Sequence, residues 1–384
     1  MKVLLIGNLA EDRQESMQRF TALLRAGLAA RGHAVTVLVP TLQLARLGPR
    51  YRYGGLPKYL GYFDKFVLFP RQLQRHVQTA RPDIVHFTDQ AGAVYGSAVP
   101  GIPALATCHD LLQIRAARGE FDQQPLSGAS RRHQEWILAG LTQLSHLACV
   151  SASTQADVLR LTGLPAARTS VIPNGLNHPY QRVPTAAACL ALAELADAPG
   201  ADPGLRDAVA RGFLLHVGGD HWYKNRAGLI TIFAELSDRL PSASALVLVG
   251  PPLTAGQAAH AAALGVAGRI VGVAGATNAQ LEALYNLAEA LIFPSWAEGF
   301  GWPIAEAQAC GCPVFTSNRA PMTEVAGIHA AYFDPADPAG AARAIAGAWP
   351  GRLARRDLAL AEARRWQPDL MLDAYEALYR HIIP

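Results

Sequence analysis

The sequence lacks the features that mark membrane-spanning and disulfide-stabilised proteins. Its 384 residues contain no run of eighteen apolar residues, which disfavours a membrane-spanning helix. The five cysteines form no Cys-x-x-Cys pair and no metal-binding spacing, so a zinc module and a disulfide framework are both disfavoured. The first apolar run, residues 3–6, is too short for a signal sequence and predicts a strand. We therefore expect a cytoplasmic protein.

Repeats and metal motifs are also missing. The chain has no low-complexity run and no internal repeat of solenoid length, which argues against a repeat protein. No Asp-x-Asp pair occurs, so the sequence does not demand a metal ion that bridges a diphosphate. We expect no metal and no other cofactor.

Charge is present but unevenly distributed. Residues 1–180 carry 19 Lys and Arg against 11 Asp and Glu, a net +8, whereas the remainder carries 15 against 19, a net −4. The segment from Arg46 to Arg75 has seven basic residues, one acid (Asp64) and seven Tyr or Phe. Three interpretations stay open: a solvated helix face over a core, a surface that binds an anionic membrane, and a nucleic-acid site. The last is disfavoured because no nucleic-acid motif accompanies it.

Short apolar runs alternate with helical patterns along the whole chain. This alternation predicts an α/β protein with parallel strands and helices on both faces of each sheet. We expect two Rossmann-like domains that face each other across a cleft, at 1–182 and 183–369. Residues 185–207, rich in Ala, Pro, Gly and Asp, are predicted to form a polar linker. The last helix, within 370–384, is expected to pack back on the first domain.

The stretch AEGFGWPIAEAQACGCPV, residues 297–314, combines a helix start with two acids. Pro303 suits the first turn of a helix, which we predict over 304–310, and Gly299 and Gly301 allow main chain to approach a ligand. Unpaired N–H groups at such a helix start can bind phosphate. Glu298 and Glu306 would repel a phosphate, but they can accept hydrogen bonds from hydroxyls. A ligand with phosphates and many hydroxyls is a sugar nucleotide.

The motifs together resemble a known family. HVGGDHWYKN (216–225), RIVGVAGATNAQLEALYNLAEALIFPS (269–295) and the Glu-x7-Glu block resemble the GT-B retaining glycosyltransferases of family 4, also called group 1. The first half adds His-Asp at 109–110, VSAST at 150–154 and VIPNGLN at 171–177, so the resemblance covers nearly the whole chain. It implies transfer of a hexose from a nucleoside-diphosphate sugar to an acceptor hydroxyl with retention of anomeric configuration, in bacterial polysaccharide or glycolipid assembly.

The resemblance also assigns residues. It implies that Glu298 addresses the donor sugar, that Glu306 binds the ribose and that Lys224 neutralises the diphosphate. The implied catalytic residues are His109, Lys224 and Glu298. The implied donor-binding residues are Gly218, Gly219, Lys224, Asn225, Gly272, Val273, Glu298, Gly299, Phe300, Gly301, Trp302 and Glu306. The implied acceptor-side residues are Gly7, Asn8 and Asp110.

Each assignment has a plainer alternative, and the sequence departs from the family at one position. Glu306 can be a solvated first-turn acid, Lys224 a surface charge and His109 a structural histidine. The family usually has an arginine where this chain has Gly219, so Arg226 or a side chain of the first half is expected to replace that cation.

Two other function classes remain open. A sugar-nucleotide epimerase shares this architecture, and a non-catalytic protein could bind the same donor. The sequence does not identify the base (uracil, guanine or adenine), the sugar or the acceptor. Beyond the donor and acceptor, the one expected partner is an anionic membrane surface on the inner face of the membrane.

Overall fold

Two separate six-stranded parallel sheets organise the chain, and each belongs to its own unit. The computed structural model describes residues 1–12, 14–45, 55–237, 239–240 and 244–383. The first unit comprises Met1–Asn177 with Pro368–Pro384, and the second comprises His178–Gln367. The predicted α/β class with two Rossmann-like domains is confirmed. The structure divides the chain after Asn177, whereas the sequence placed the boundary at 182/183.

The first unit has strand order β2-β1-β3-β4-β5-β6. Its strands are β1 Lys2–Ile6, β2 Ala34–Leu38, β3 Ile84–Phe87, β4 Ala104–Cys108, β5 His146–Cys149 and β6 Thr169–Val171. Its helices are α1 Glu15–Ala30, α2 Gly55–Phe63, α3 Phe69–Ala80, α4 Leu112–Ala117, α5 Gly128–Gln143, α6 Ala152–Thr162 and α16 Pro368–Ile382. The inner strands β3, β4 and β5 are buried at every residue, as expected for a parallel sheet covered on both faces.

Local signals in the sequence set several helix ends in this unit. Ser151 caps α6 because its side chain accepts a hydrogen bond from the Thr154 N–H, and Gly163 ends the helix in the left-handed conformation (φ 69°). The segment between α2 and α3, Asp64–Leu68, forms a π-helical turn that keeps the two helices continuous. The predicted helical region over residues 56–79 therefore forms with one irregular turn.

The C-terminal helix α16 packs on the first sheet through a buried polar network. The Tyr379 hydroxyl lies 2.6 Å from His86 Nδ1, and the Tyr375 hydroxyl lies 2.7 Å from Thr107 Oγ1. Thr107 Oγ1 in turn lies 2.7 Å from His86 Nε2. Gly175 permits the close approach, since a Cβ there would lie 2.7 Å from the Cα of Pro368.

The second unit has strand order β12-β11-β10-β7-β8-β9. Its strands are β7 Phe213–Val217, β8 Ala245–Val249, β9 Ile270–Val273, β10 Ala290–Phe293, β11 Val314–Ser317 and β12 Ala331–Phe333. Its helices are α7 Thr185–Ala196, α8 Leu205–Arg211, α9 Arg226–Leu236, α10 Ala255–Ala263, α11 Asn278–Leu287, α12 Trp302–Ala309, α13 Met322–Ala326, α14 Pro338–Ala348 and α15 Arg356–Ala363.

The predicted linker over 185–207 is wrong. This stretch contains helix α7 and the start of α8, and α7 packs against α11. Ala188, Leu192 and Leu195 of α7 are buried. Their spacing places them on one helix face, and that face outweighs the linker-like Ala, Pro, Gly and Asp composition of the stretch.

Candidate active site

Two neighbouring strands of the second sheet bring the central donor-site candidates together. β7 and β10 are adjacent and parallel, with Leu214 opposite Ala290, so the loops after both strands leave the same edge of the sheet. The loop after β7 carries Lys224, and the loop after β10 carries Glu298. Lys224 Nζ lies 2.7 Å from Glu298 Oε1 and 3.0 Å from Oε2. The side chains are only 13% and 8% exposed, so the ion pair is largely shielded from water.

Further hydrogen bonds hold the two loops in this arrangement. The Ser295 hydroxyl donates to Glu298 Oε1 at 2.7 Å, and the Trp296 N–H donates to the Tyr223 carbonyl at 2.7 Å. Asn225, a predicted donor-binding residue, has φ 55° and caps α9 by accepting from the Gly228 N–H. Its side-chain amide donates to the Pro294 carbonyl at 3.1 Å. The Asn225 side chain is thus engaged within the protein, where it helps to place Lys224.

The glycine loop between Glu298 and α12 leads directly into the start of the helix, as the sequence predicted. Gly301 has φ 99°, a conformation that favours glycine, and it precedes the first helical residue, Trp302. Pro303 lies in the first turn, as predicted, but the helix begins two residues earlier than the predicted residue 304. Phe300 is buried with its ring perpendicular to that of Trp366, and the half-buried Trp302 lies beside it at 6.4 Å between ring centroids.

Glu306 is a buried residue of α12, and its interpretation as a solvated first-turn acid is wrong. The side chain is 4% exposed and lies beyond the first turn because the helix starts at Trp302. The Tyr285 hydroxyl of α11 donates to Glu306 Oε2 at 2.8 Å. Burial, followed by the charge of Glu306, raises the pKa of Tyr285 well above its usual range, so the phenol keeps the proton that it donates. No motif in the sequence singled out Tyr285.

Arg226 does not replace the missing family arginine as an exposed cation. It is 2% exposed, and its guanidinium donates to the carbonyls of Pro251 at 2.8 Å and Gly218 at 3.4 Å. Burial lowers its pKa. The arginine therefore stabilises main chain beside the predicted donor-binding glycines Gly218 and Gly219.

Two main-chain groups predicted to meet the base already have partners. The Gly272 N–H donates to Asp202 Oδ2 at 2.9 Å, and the Val273 carbonyl accepts from the Gly250 N–H at 2.9 Å. Asp202 lies in the stretch predicted to be a linker, so the sequence interpretation missed it. The Gly272 N–H has one proton to donate, so it contacts a base only if its bond to Asp202 is exchanged, whereas the Val273 carbonyl keeps a second lone pair.

His109 lies just after β4 in the first unit and is almost completely buried. Its Nε2 lies 3.0 Å from the Thr88 carbonyl, which can only accept, so Nε2 carries the proton. Its main-chain N–H donates to Gln90 Oε1 at 3.0 Å, and the Phe20 ring packs edge-on against the imidazole. Burial lowers the pKa of His109, although Asp89 opposes this effect. The histidine is therefore held as a neutral side chain in a fixed orientation.

A cavity of about 230 Å³ gathers the three predicted acceptor-side residues in the first unit. Gly7, Asn8 and Asp110 all line it. They follow β1 and β4, which flank β3, so the cavity lies at the carboxyl edge of the sheet. His109 is not among the lining residues. The other polar residues that line the cavity were missed from the sequence: Asp12, Gln14, Lys65, Asp89, Gln90, Tyr95, Gln113, His133 and Gln134.

The aromatic and basic segment serves more than one structural purpose. Phe69 belongs to the core, and the Asp64 carboxylate accepts three main-chain N–H groups at 3.0 Å each, from residues 43–45. Lys65 lines the cavity and pairs with Asp12 at 2.6 Å. Helix α2 instead exposes Tyr59 (69%), with Tyr62 and Phe63 also exposed. The predicted contributions of Arg46, Arg50 and Arg52 lie outside the described residues.

Two general properties complete the description of both units. Within the described ranges, no three His, Cys, Asp or Glu side chains are grouped so as to hold a metal ion. None of the described helices combines the length and the hydropathy that a bilayer span requires. Metal independence stays a prediction.

Comparisons with known proteins identify the family. The model of glycosyltransferase family 4 matches residues 17–178, and the model of group 1 glycosyl transferases matches residues 211–349. The D-inositol 3-phosphate glycosyltransferase of Salinispora tropica is 28% identical over 304 residues, which are 73% of this chain and 60% of that protein. The protein of the same name from Nocardiopsis dassonvillei is 27% identical, over 91% of this chain and 86% of its own. The chain thus spans about 60% of the length of the first of these relatives.

Solved structures show the same fold along the entire chain. Sucrose-phosphate synthase from Thermosynechococcus elongatus has a TM-score of 0.73 at 18% identity and covers 100% of this chain and 99% of its own. Anabaena Alr3699/HepE, in complex with UDP and glucose, has a TM-score of 0.70 at 19% identity and covers 98% and 99%. Because the two family models match successive parts of one chain, the chain belongs to the group 1 glycosyltransferases of family 4. Its two parallel sheets and the similarity to these solved structures show that it has the GT-B fold.

Proposed function

We propose that this chain transfers a hexose from a nucleoside-diphosphate sugar to an acceptor hydroxyl, with retention of anomeric configuration and without a metal ion. The observation that carries the proposal is the shielded Lys224–Glu298 pair, placed by β7 and β10 beside the start of α12. Two similar proteins support the same class of substrate: one is named a D-inositol 3-phosphate glycosyltransferase, and the structure of another is a complex with UDP and glucose.

Each group in the donor cluster has a distinct task in this proposal. Lys224 and the positive end of α12 stabilise the diphosphate as it leaves, which is where negative charge develops in the reaction. Glu298 accepts hydrogen bonds from the donor sugar, and Glu306, fixed by Tyr285, accepts them from the ribose. Lys224 and Glu298 pair with each other within the protein. Donor binding then exchanges this ion pair for contacts to phosphate and sugar.

The proposed chemical step is a same-face substitution. The acceptor oxygen forms a bond to the anomeric carbon while the bond from that carbon to the diphosphate oxygen breaks. The leaving phosphate oxygen takes the acceptor's proton on the same face, which conserves the proton and gives retention. His109 is proposed to contribute as a neutral, oriented side chain, since its Nε2 proton is held by the Thr88 carbonyl.

Donor turnover tests the proposal directly. The full chain is incubated with UDP-, GDP- and ADP-sugars, with and without sugar acceptors, and released diphosphate and the anomeric configuration of the product are measured by NMR. Diphosphate release with a retained linkage is expected. An epimerase would convert the donor sugar without an acceptor, and a binding protein would take up donor and never release diphosphate; either result contradicts transfer.

We also propose that the enzyme works in the cytoplasm at the inner face of a membrane, in polysaccharide or glycolipid assembly. The supporting observation is helix α2, where Tyr59 is 69% exposed and Lys58 Nζ lies 5.5 Å from the centre of the Tyr62 ring. Aromatic rings and lysines together favour an anionic bilayer surface.

Vesicle binding tests the membrane proposal. Replacing Arg50, Arg52 and Lys58 with Glu is expected to abolish co-sedimentation with phosphatidylglycerol vesicles at low salt. Arg19→Glu, which changes an exposed cation on α1, is the control. Lys65 is left intact because it pairs with Asp12 in the cavity. If the wild-type chain does not sediment with the vesicles, the membrane proposal is wrong and the segment from Arg46 to Arg75 is only a solvated helix face.

A further inference from the structure

The cavity in the first unit is the part of the molecule whose chemistry the donor site does not explain. It is built around the carboxyl ends of three adjacent strands, β1, β3 and β4, from which Gly7, Asp89 and Asp110 follow. Its volume of about 230 Å³ lies just below the ~300–1,000 Å³ typical of sites for drug-sized ligands, which suits a single sugar residue.

The charge of the cavity wall is negative among the described lining residues. Asp12, Asp89 and Asp110 contribute three carboxylates, whereas Lys65 contributes the one ammonium group. That ammonium lies 2.6 Å from Asp12, so its charge is already balanced within the wall. Burial, followed by the charge of Lys65, lowers the pKa of His133, so this histidine is neutral at neutral pH. An anionic ligand would therefore meet an excess of like charge.

The hydrogen-bonding groups and the apolar surface of the wall match a polyol. Hydroxyl groups both donate and accept, and side-chain amides do the same. Five amide side chains line the cavity: Asn8, Gln14, Gln90, Gln113 and Gln134. Phe66 and Tyr95 supply aromatic surface, with ring centroids 6.4 Å apart, for the C–H faces of a sugar ring. Carboxylates strengthen such a site because they accept hydrogen bonds from hydroxyls.

We propose that this cavity binds the acceptor as an uncharged, polyhydroxylated sugar residue and discriminates against phosphorylated or carboxylated sugars. The proposal rests on the transfer activity proposed above, for which it names the acceptor class. Like charges across a binding site act chiefly by rejecting wrong partners, so the wall selects by charge as well as by shape. The chain would thus differ from the relatives whose name specifies inositol 3-phosphate as the acceptor.

Binding of matched pairs tests the proposal independently of turnover. The probes are glucose, mannose, galactose and myo-inositol, each with its monophosphate, and the dissociation constants for the full chain are measured by ligand-observed NMR. At least one neutral sugar is expected to bind about tenfold or more tightly than its monophosphate at low salt, and the ratio is expected to shrink at ~1 M salt as charges are screened. Binding of no neutral sugar, or equal or tighter binding of the phosphates, overturns the proposal.

Failure of the proposed activity has a different signature. If neutral sugars bind preferentially but no donor ever releases diphosphate, the transfer activity is wrong and the charge selection stands. If diphosphate is released and a phosphorylated sugar is the better acceptor by kcat/KM, the charge selection is wrong and the activity stands.

Variants in the wall sharpen the test. The Leu112 N–H donates a hydrogen bond to Asp110 Oδ1 at 3.0 Å. Asp110→Asn removes one negative charge and keeps an oxygen that can accept this bond. It is expected to reduce the preference for the neutral sugar about threefold or more. Lys65→Met is expected to increase that preference, because it removes the cation from the wall.

A matched control separates charge selection from general destabilisation. Asp83→Asn changes the net charge by the same amount, but Asp83 precedes β3 and lies at the opposite edge of the sheet, bonded to the Lys2 N–H at 2.7 Å. Its preference ratio is expected to equal that of the wild type. A structural defect weakens both members of a pair alike, so unchanged ratios in both Asp110→Asn and Lys65→Met would overturn the proposal.

Discussion

The two units share one architecture and differ in the electrostatics of their sites. Each has a six-stranded parallel sheet with its candidate site at the carboxyl edge. Residues 1–180 carry the net positive charge, +8, yet three carboxylates and one lysine are the charged groups among the described residues that line their cavity. The remainder is net negative, −4, yet it provides Lys224 for the proposed phosphate contact. The net charge of a region therefore does not predict the charge of its site, because a few lining residues determine the local field.

Removing the cation of the second unit should have the largest effect. Lys224→Ala is expected to cost ~3 kcal/mol of transition-state stabilisation, about a hundredfold in kcat, because the leaving diphosphate loses its fixed positive partner. Single-turnover kinetics at saturating donor measures this loss. Lys58→Ala, on helix α2 of the first unit, is the control and should retain full activity. If Lys224→Ala and Lys58→Ala lose the same amount of kcat, the special role of Lys224 in the second unit is contradicted.

The two glutamates of the second unit should separate the nucleotide from the sugar. Glu306→Ala is expected to weaken binding of the free nucleoside diphosphate and of the intact donor by ~1.5–3 kcal/mol, the range of a charge-assisted hydrogen bond. Glu298→Ala should leave diphosphate affinity nearly intact and impair turnover with the sugar donor. Calorimetric titration of both variants with both ligands distinguishes these results. Similar losses of diphosphate affinity in both variants would mean that the roles are assigned wrongly.

Tyr285→Phe provides the control for the Glu306 assignment. It removes the 2.8 Å hydrogen bond to Glu306 and keeps the buried ring, so diphosphate affinity should fall by ~0.5–1.5 kcal/mol. A fall in melting temperature with unchanged affinity would instead indicate that both residues only stabilise the fold.

Acid should destabilise both units through buried histidines, most strongly through His86 in the first unit and His216 in the second. Burial lowers the pKa of His86 in the first unit and of His216 in the second to about 3. The unfolded chain, where a histidine has a pKa of ~6.5, binds the proton first. Each contribution is therefore complete above pH ~6.5 and is lost as the pH falls toward 3, at up to ~1.4 kcal/mol per pH unit.

Urea unfolding at pH 7.5 and pH 5.5 measures this loss in each unit. Tryptophan fluorescence reports mainly the second unit, since five of the six tryptophans lie there: Trp222, Trp296, Trp302, Trp349 and Trp366. Circular dichroism reports both units. His86→Gln should reduce the pH dependence seen by circular dichroism and leave the fluorescence transition unchanged. A fluorescence transition that depends on His86 would show that the units do not unfold independently.

Removing metal should have the smallest effect in either unit. Because Lys224 and the start of α12 are proposed to neutralise the diphosphate, EDTA is expected to change kcat by less than about twofold. The measurement is diphosphate release before and after chelation. Complete inactivation that Mn²⁺ reverses would contradict a metal-independent reaction.

Local sequence patterns predicted most strands and helices, and they placed the start of the helix after the glycine loop within two residues of its position in the structure. Pro303 in a first turn and glycines before it located α12, and apolar runs located the strands, because these signals depend on a few neighbouring residues. Composition misled at 185–207, where the buried face of α7 appears only when Ala188, Leu192 and Leu195 are considered at helical spacing. The Ala, Pro, Gly and Asp content of that stretch is equally compatible with a loop.

Partners distant in sequence explain what the sequence interpretation missed. Tyr285 reaches Glu306 because α11 packs against α12, and Lys65 reaches Asp12 across fifty-three positions. No periodicity relates such pairs. Arg226 was expected to be a substitute cation, and its contacts with the carbonyls of Gly218 and Pro251 depend on how the loops after β7 and β8 fold over it.

The sequence by itself determined the family, the α/β class and the identity of the candidate donor residues, because short motifs and apolar periodicity record them locally. The tertiary structure alone decided which charges meet. Strand order places β7 beside β10 and thereby joins Lys224 to Glu298, and it places β1, β3 and β4 side by side and thereby forms an acidic cavity in the basic half. Strand order depends on long-range packing of whole elements, so no local stretch of sequence specifies it.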